Sequence, residues 1–198
     1  YVKVVLSGDG ADELFSGYSP FKYINIMKIL SCFPKFFGKI LYSSFSKIKR
    51  KDNYMNFLFL ITQISKGIGY SANQQTFRWM SSFTEGDIHK IFLKNFTEKY
   101  SENEDIINYL GSKSLNNNLG VHDQITQMFF ENYLPNDILT KVDRASMYNS
   151  LEVRSPFLDR EVINISHKIP TKMKLKNNSG KIILKEILKE FIPENLTD

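Results

Sequence analysis

Residues Val2–Tyr18 read VKVVLSGDGADELFSGY, and this stretch decides the fold class. Val2 to Leu6 is an apolar, β-branched run that predicts a strand, while Leu14, Phe15 and Tyr18 read as the start of a helix. Ser7 to Gly10 is then a glycine-punctuated loop at the carboxyl end of the strand, where α/β folds keep their ligand sites.

The loop mixes small residues with acids. Ser7, Gly8 and Gly10 can let backbone amides close around an anion, yet Asp9, Asp12 and Glu13 are anionic themselves. Backbone donors at a helix N-terminus attract phosphate, which cannot sit bare against three carboxylates. The acids must face away, hold a cation between themselves and the phosphates, or act as bases on a second reactant. A simpler alternative is that Asp12 and Glu13 favour the first helical turn through its dipole, by ~0.3–1 kcal/mol each, with Gly8 and Gly10 only shaping a turn.

The chain has 198 residues, 42% of them hydrophobic, enough for one domain with a core or for most of a larger one. Its longest strongly apolar stretch, Phe57 to Ile61, is too short to span a bilayer, and no signal-peptide pattern is present, so a cytoplasmic location is expected. Cys32 cannot form an internal disulfide and lies in the apolar segment Ile29 to Phe37, which predicts a small core residue. His89, His122 and His167 are scattered without metal-ligand spacing and read as surface or packing residues. A net charge of +5 and the basic cluster Lys47, Lys49, Arg50 and Lys51 raise the question of nucleic acid. Lys and Asn are abundant throughout and no nucleic-acid-binding motif accompanies the cluster, so no such partner is expected.

Beyond the opening strand the pattern is that of successive helices, with breaks near Pro34 and Gly38, at Lys49 to Asn53, at Gly67 to Asn73 and at Gly111 to Asn118. The last is the candidate mobile surface loop. No internal repeat or domain linker stands out. Phe77, Trp79, Met80 and Phe83 read as core packing ahead of a helix start at Thr84. A strand at the beginning of the chain needs a pairing partner, because each buried unpaired backbone group costs ~1–3 kcal/mol. Few other strands are visible, so the chain is expected to be a fragment, with the rest of a parallel sheet in a missing N-terminal part.

A second segment, Leu134–Asp159, reads LPNDILTKVDRASMYNSLEVRSPFLD. Ile138, Leu139, Val142 and Ala145 share one helical face, with Asp143 and Arg144 beside it. The chain then turns, and Ser155 can cap a helix whose first position is Pro156. Taken alone, Asp143, Arg144, Glu152, Arg154 and Asp159 could be a structural network of ion pairs.

In this order and at this separation, the two segments strongly resemble the synthetase domain of the glutamine-dependent asparagine synthetases. GKIILKEIL, Gly180 to Leu188, resembles that family's late segment, in which a lysine at the start of a helix contacts the ATP phosphates; here it is Lys181. A cation in the first turn opposes the helix dipole unless an anion is bound there, chance placement being the alternative. The resemblance covers essentially the whole chain but only the later part of the family's synthetase domain. The family's glutaminase domain, with its N-terminal cysteine nucleophile, and its SGGxDS nucleotide loop are not in this sequence. The implied fold is an α/β adenine-nucleotide alpha-hydrolase-like (ATP pyrophosphatase) domain. Residues 1–198 would be a partial asparagine synthetase domain, mostly α-helical with one N-terminal parallel strand.

The resemblance implies that ATP adenylates the side-chain carboxylate of aspartate and that ammonia from glutamine hydrolysis then displaces AMP. It places Ser7, Gly8 and Gly10 on the nucleotide and Asp12 on magnesium, and makes Asp9 and Lys181 the catalytic residues. Asp9 stands where many relatives have glutamate, and Ser16 where the motif more usually has glycine. Glu13, Asp143 and Arg154 are candidates for holding aspartate or bracing the nucleotide loop, structural pairing being the alternative for Asp143 and Arg154. The implied partners are aspartate, ATP, ammonia and a glutaminase domain in the same full-length chain, with a homodimer admitted and neither nucleic acid nor membrane involved. The 198-residue piece alone is expected to be inactive. One competing reading amidates another carboxylate, such as a sugar acid in surface-polysaccharide synthesis, or closes a β-lactam ring. Another, of a different class, is a non-catalytic nucleotide-binding or basic interaction module.

Overall fold

A computed structural model describes residues 2–48, 57–83, 91, 119–193 and 196. The expected loop at Gly111 to Asn118, the break at Lys49 to Asn53, the helix start at Thr84 and all of the basic cluster but Lys47 lie outside these residues. Among the described residues the protein is mostly helical with a small parallel sheet. It divides into two compact units, one formed by residues 1–23 and 122–198 and the other by residues 24–121. The first unit is discontinuous, which explains why no linker is visible along the sequence.

The first unit opens with β1 (Val4–Leu6), two residues shorter than its apolar run. The expected lone strand is paired: β2 (Glu152–Arg154) lies parallel to it, with Val4, Val5 and Leu6 opposite Glu152, Val153 and Arg154. The ladder is extended at both ends by Glu152 N–H to Lys3 O and Ser7 N–H to Arg154 O, each 2.9 Å. After the loop come the one-turn helices α1 (Ala11–Leu14) and α2 (Ser19–Lys22). The unit resumes with α7 (Val121–Met128), a π-helix (Phe129–Leu139) and α8 (Thr140–Tyr148).

Pro135 lies inside the π-helix, where its missing N–H would interrupt an ordinary α-helical ladder. Thr140 Oγ1 donates to Pro135 O at 2.8 Å, spanning the five-residue π spacing. The core consists of Leu14, Phe15, Phe21, Ile125, Met128, Phe129 and Leu134, all buried. Tyr18 stacks on Phe129 with ring centroids 4.5 Å apart, and Phe15 meets Phe157 edge-on.

Pro156 opens a short 3-10 turn (Pro156–Leu158) rather than the expected longer helix. The longer helix, α9 (Arg160–Lys168), starts later because Asp159 caps it, its Oδ1 accepting from Glu161 N–H at 2.8 Å. The unit ends with α10 (Thr171–Lys174) and α11 (Ile182–Leu188).

The second unit contains α3 (Ile24–Ser31), α4 (Lys35–Ser46), α5 (Phe57–Gly67) and α6 (Ala72–Met80). Pro34 separates α3 from α4 as expected. Gly38 does not break the chain but lies inside α4, where a Cβ would come within 2.7 Å of Ser65 O, so it is the close-approach point of α4 and α5. The fully buried Gln75 ties the helices together, donating to Met27 O and Tyr70 O at 2.8 and 2.9 Å. Arg78 lies over the Tyr70 ring, 3.8 Å from its centroid.

Two expectations fail here. Cys32 is exposed, its Sγ bonding Lys28 O at 3.4 Å, because the apolar segment around it presents Ile29, Phe33, Phe36 and Phe37 outward. Of the aromatic-rich run, Met80 and Phe83 are exposed while Phe77 and Trp79 are half-buried.

Candidate functional site

The strand β1 delivers the Ser7–Gly10 loop to the edge of the first unit. Gly10 takes φ of 93°, a left-handed conformation that favours glycine, and its missing Cβ leaves room for the Leu158 side chain. At Gly8 a Cβ would meet nothing within 4 Å, so this part of the loop faces open space. Since α1 is one turn long, its dipole is small; the anion-attracting groups here are the loop's own peptide N–H groups.

The opening loop and the second segment meet at hydroxyls. Ser7 Oγ donates to Asp9 Oδ2 at 2.8 Å and lies 2.8 Å from Ser155 Oγ. Because the single Ser7 proton goes to the carboxylate, Ser155 is the donor to Ser7. Ser155, read from sequence as a helix cap, thus orients the loop instead, and its side chain makes no cap bond.

The third segment closes on the same corner. Lys181 Nζ lies 2.9 Å from Asp12 Oδ1, both side chains being about one-third exposed at 34% and 39%. Lys181 N–H donates to Phe15 O at 2.9 Å, and Lys181 takes φ of 59° as it enters α11. An ion pair this exposed contributes only ~0–1 kcal/mol, so it holds the fold weakly and leaves both charges accessible.

Glu13 points the other way. It is 1% exposed and accepts the Tyr18 hydroxyl at 2.7 Å. Burial raises its pKa above the usual carboxylate value, against the lowering effect of the Tyr18 bond, with Asp12 and Asp9 adding to the rise. Burial, and then Glu13, push the Tyr18 hydroxyl above its ordinary value.

The structure therefore brings Ser7, Asp9, Asp12 and Lys181 to one corner with the open Gly8 beside them. Asp143 is exposed on α8, and the Arg154 side chain pairs with Glu152 on the same strand face at 2.8 Å, leaving only the Arg154 carbonyl on Ser7. Neither side chain makes a hydrogen bond or ion pair with the loop residues. An open groove of about 660 Å³ runs along the π-helix and α8 past Asn136, Thr140, Lys141, Arg144 and Tyr148, and no expected site residue lines it. Among the described residues no group of three or more His, Cys, Asp or Glu side chains could hold a metal ion.

Sequence reasoning passed over two glycines that make this corner possible. A Cβ on Gly17 would overlap the Asp12 carboxylate and come within 2.5 Å of Lys181 Cε, and one on Gly180 would overlap Ser16 O. Their sequence signal is adjacency: Gly17 follows Ser16 and Gly180 precedes Lys181.

The family model described as Asparagine synthase matches residues 1–198. The chain belongs to the asparagine synthase family. Among curated relatives it is 28% identical over 196 residues to "Asparagine synthetase [glutamine-hydrolyzing] 1" of Bacillus subtilis, covering 99% of this chain and 29% of the relative. It is 28% identical over 197 residues to "Putative asparagine synthetase [glutamine-hydrolyzing]" of Mycobacterium bovis, covering 99% of this chain and 28% of that protein. It is also 24% identical over 222 residues to "Amidase chyE" of Penicillium rubens, covering 98% of this chain and 31% of the relative. This asparagine synthase family chain therefore spans less than a third of the length of these three relatives. No solved structure matches it. No helix among the described residues is long and apolar enough to cross a membrane.

Proposed function

We propose that this chain supplies part of the active site of an ATP-dependent amide ligase that converts aspartate to asparagine. The supporting observation is the convergence of three segments far apart in sequence, with Ser7 on Ser155 at 2.8 Å and Asp12 on Lys181 at 2.9 Å. The domain would be of the adenine-nucleotide alpha-hydrolase-like type, and the full-length protein would carry a glutaminase domain as the source of ammonia.

In the first step an aspartate side-chain oxygen attacks the α-phosphorus of the substrate ATP, the bond to the bridging oxygen breaks and pyrophosphate leaves. The product is β-aspartyl-AMP. Ammonia then attacks the activated carbonyl carbon, loses a proton and displaces AMP. Negative charge on the departing pyrophosphate needs cations and N–H donors around it. Lys181 can exchange Asp12 for a phosphate oxygen, and the peptide N–H groups of Gly8 and Gly10 can face the nucleotide, the Ser7 N–H being held in the strand ladder by Arg154 O.

Asp12, released from Lys181, would hold Mg²⁺, which when bound neutralises phosphate charge. The donor set fits a metal carried by the nucleotide, since Mg²⁺ commonly takes one or two carboxylates plus phosphates and water. It does not suit a metal site built from protein groups alone. Asp9, oriented by Ser7 at 2.8 Å, would accept the proton lost by ammonia, a role worth roughly 10²–10⁴ in rate. Glu13 would act by bracing α1 from its buried position, while Asp143 and Arg154 remain candidates for aspartate recognition.

The test is pyrophosphate release from ATP by the full-length protein. Release should require aspartate and Mg²⁺, and Asp12→Asn and Lys181→Ala should each reduce it at least about tenfold, equivalent to ~1.4 kcal/mol of barrier. Unchanged release in both variants refutes the site. Release with a sugar acid but not with aspartate replaces the substrate, and the 198-residue piece alone should not turn over.

A further inference from the structure

Ser16 is fully buried with φ of 61°, a left-handed backbone conformation that non-glycine residues rarely adopt. Its Oγ lies 2.7 Å from His122 Nε2 on α7. The other ring nitrogen, Nδ1, is 3.1 Å from Asp123 Oδ1 and 3.5 Å from Thr171 Oγ1. A carboxylate only accepts, so Nδ1 carries the proton and Nε2 accepts the Ser16 hydroxyl. Burial lowers the His122 pKa below the ordinary histidine value and favours the neutral ring, with Asp123 opposing and Lys174 on α10 assisting.

A Ser–His–Asp order invites comparison with a nucleophile and its base. Ser16 has no exposed surface, however, so no substrate can reach it in this structure. What the contact holds is backbone. Phe15 O accepts Lys181 N–H at 2.9 Å, and Gly17 N–H donates to Asp12 O at 2.9 Å. Ser16 O lies directly against Gly180, and Gly17 lies against both the Asp12 carboxylate and the Lys181 stem. The left-handed turn at Ser16 therefore sets the approach of Asp12 to Lys181.

We propose that His122 is a positioning residue, anchoring the Ser16 hydroxyl and so holding the turn that brings Asp12 and Lys181 together. This rests on the roles proposed for Asp12 and Lys181, and adds what fixes their geometry. Glycine at position 16 would adopt the turn unaided, whereas serine needs the anchor.

The experiment uses full-length protein carrying H122A, H122Q, S16G or S16G/H122A. Lys181 acetylation by acetic anhydride, quantified by peptide mass spectrometry, reports release of its amine from Asp12 without requiring turnover. H122A should raise the rate about threefold or more, the scale expected when a partly exposed ion pair is released. H122Q, whose amide oxygen can accept, and S16G/H122A should label like the parent. Equal labelling of H122A and parent, or failure of S16G to restore it, overturns the proposal. If H122A does not fold, a folded S16G/H122A with parental labelling supports the proposal, and an unfolded one overturns it. Aspartate-dependent pyrophosphate release by the parent is measured separately, so its absence would remove the ligase reading while the labelling result stands.

Discussion

Replacing Tyr18 with phenylalanine removes one oxygen and keeps the ring that stacks on Phe129 at 4.5 Å. That oxygen is the donor of the 2.7 Å bond to Glu13, which is 1% exposed and has little access to a replacement water. Hydrogen bonds to charged groups contribute ~1.5–3 kcal/mol. For a chain of 198 residues, each kcal/mol moves Tm by about 2–4 °C, so the expected loss above the folded pKa of Glu13 is roughly 3–12 °C. The pH dependence carries the sharper test. Glu13 already has a folded-state pKa raised above 4.5, so it favours the folded state at low pH and loses that contribution as pH rises through the folded value. The Tyr18 bond opposes this rise, and Tyr18→Phe moves the folded pKa further up. The stability deficit of the variant should therefore grow as pH rises through the folded pKa of Glu13 and shrink below it. Thermal unfolding of parent and variant by circular dichroism from pH 4 to 8 reads this directly. A deficit independent of pH, or no deficit at pH 8, would refute a buried, charge-bearing Glu13 held by Tyr18.

Gly17→Ala puts a methyl group into the Asp12 carboxylate and within 2.5 Å of Lys181 Cε, so the pair must separate. Because both neighbours are the ends of flexible, partly exposed side chains that can swing aside, the urea midpoint should change little, while pyrophosphate release should fall at least about tenfold. Gly38→Ala presses a methyl group to 2.7 Å from a backbone carbonyl at Ser65, a rigid neighbour. It should cost ~1–3 kcal/mol of stability, read as a lower urea midpoint, while leaving the KM for ATP unchanged, as steady-state kinetics would verify.

The strand–loop–helix opening was legible because its signals are local: an apolar run, then glycines, then helical spacing. The second strand was not. Glu152, Val153 and Arg154 form three residues with charges at both ends, and only the pairing with Val4 to Leu6 makes them a strand. Cys32 is exposed because it falls in the turn between α3 and α4, and apolar neighbours in sequence do not show which way a turn faces. Gly38 was read as a break by residue type, whereas its role comes from a second helix lying across it. At the site, the acids and Lys181 were visible as residues, but sequence could not separate a buried Glu13 from an accessible Asp12 one position earlier. The turn after α1 makes that separation. His122 reads from sequence as a surface or packing residue, and its bond to Ser16 spans 106 positions, beyond the reach of any periodic pattern.

The pairing of β1 with β2 also sets an order of events during synthesis. Ser7 and Ser155, at the end of that ladder, are 148 residues apart. At about 5–20 residues per second, a ribosome takes roughly 7–30 s to make the intervening chain. Through that interval β1 and the Ser7–Gly10 loop have been made but their partners have not, since β2, Ser155 and Lys181 all come later. The second unit, encoded wholly within the interval, can fold while they wait. Within this chain the corner that joins Ser7 to Ser155 and Asp12 to Lys181 is thus assembled late, and Val4 to Leu6 is the segment for which a chaperone would matter most.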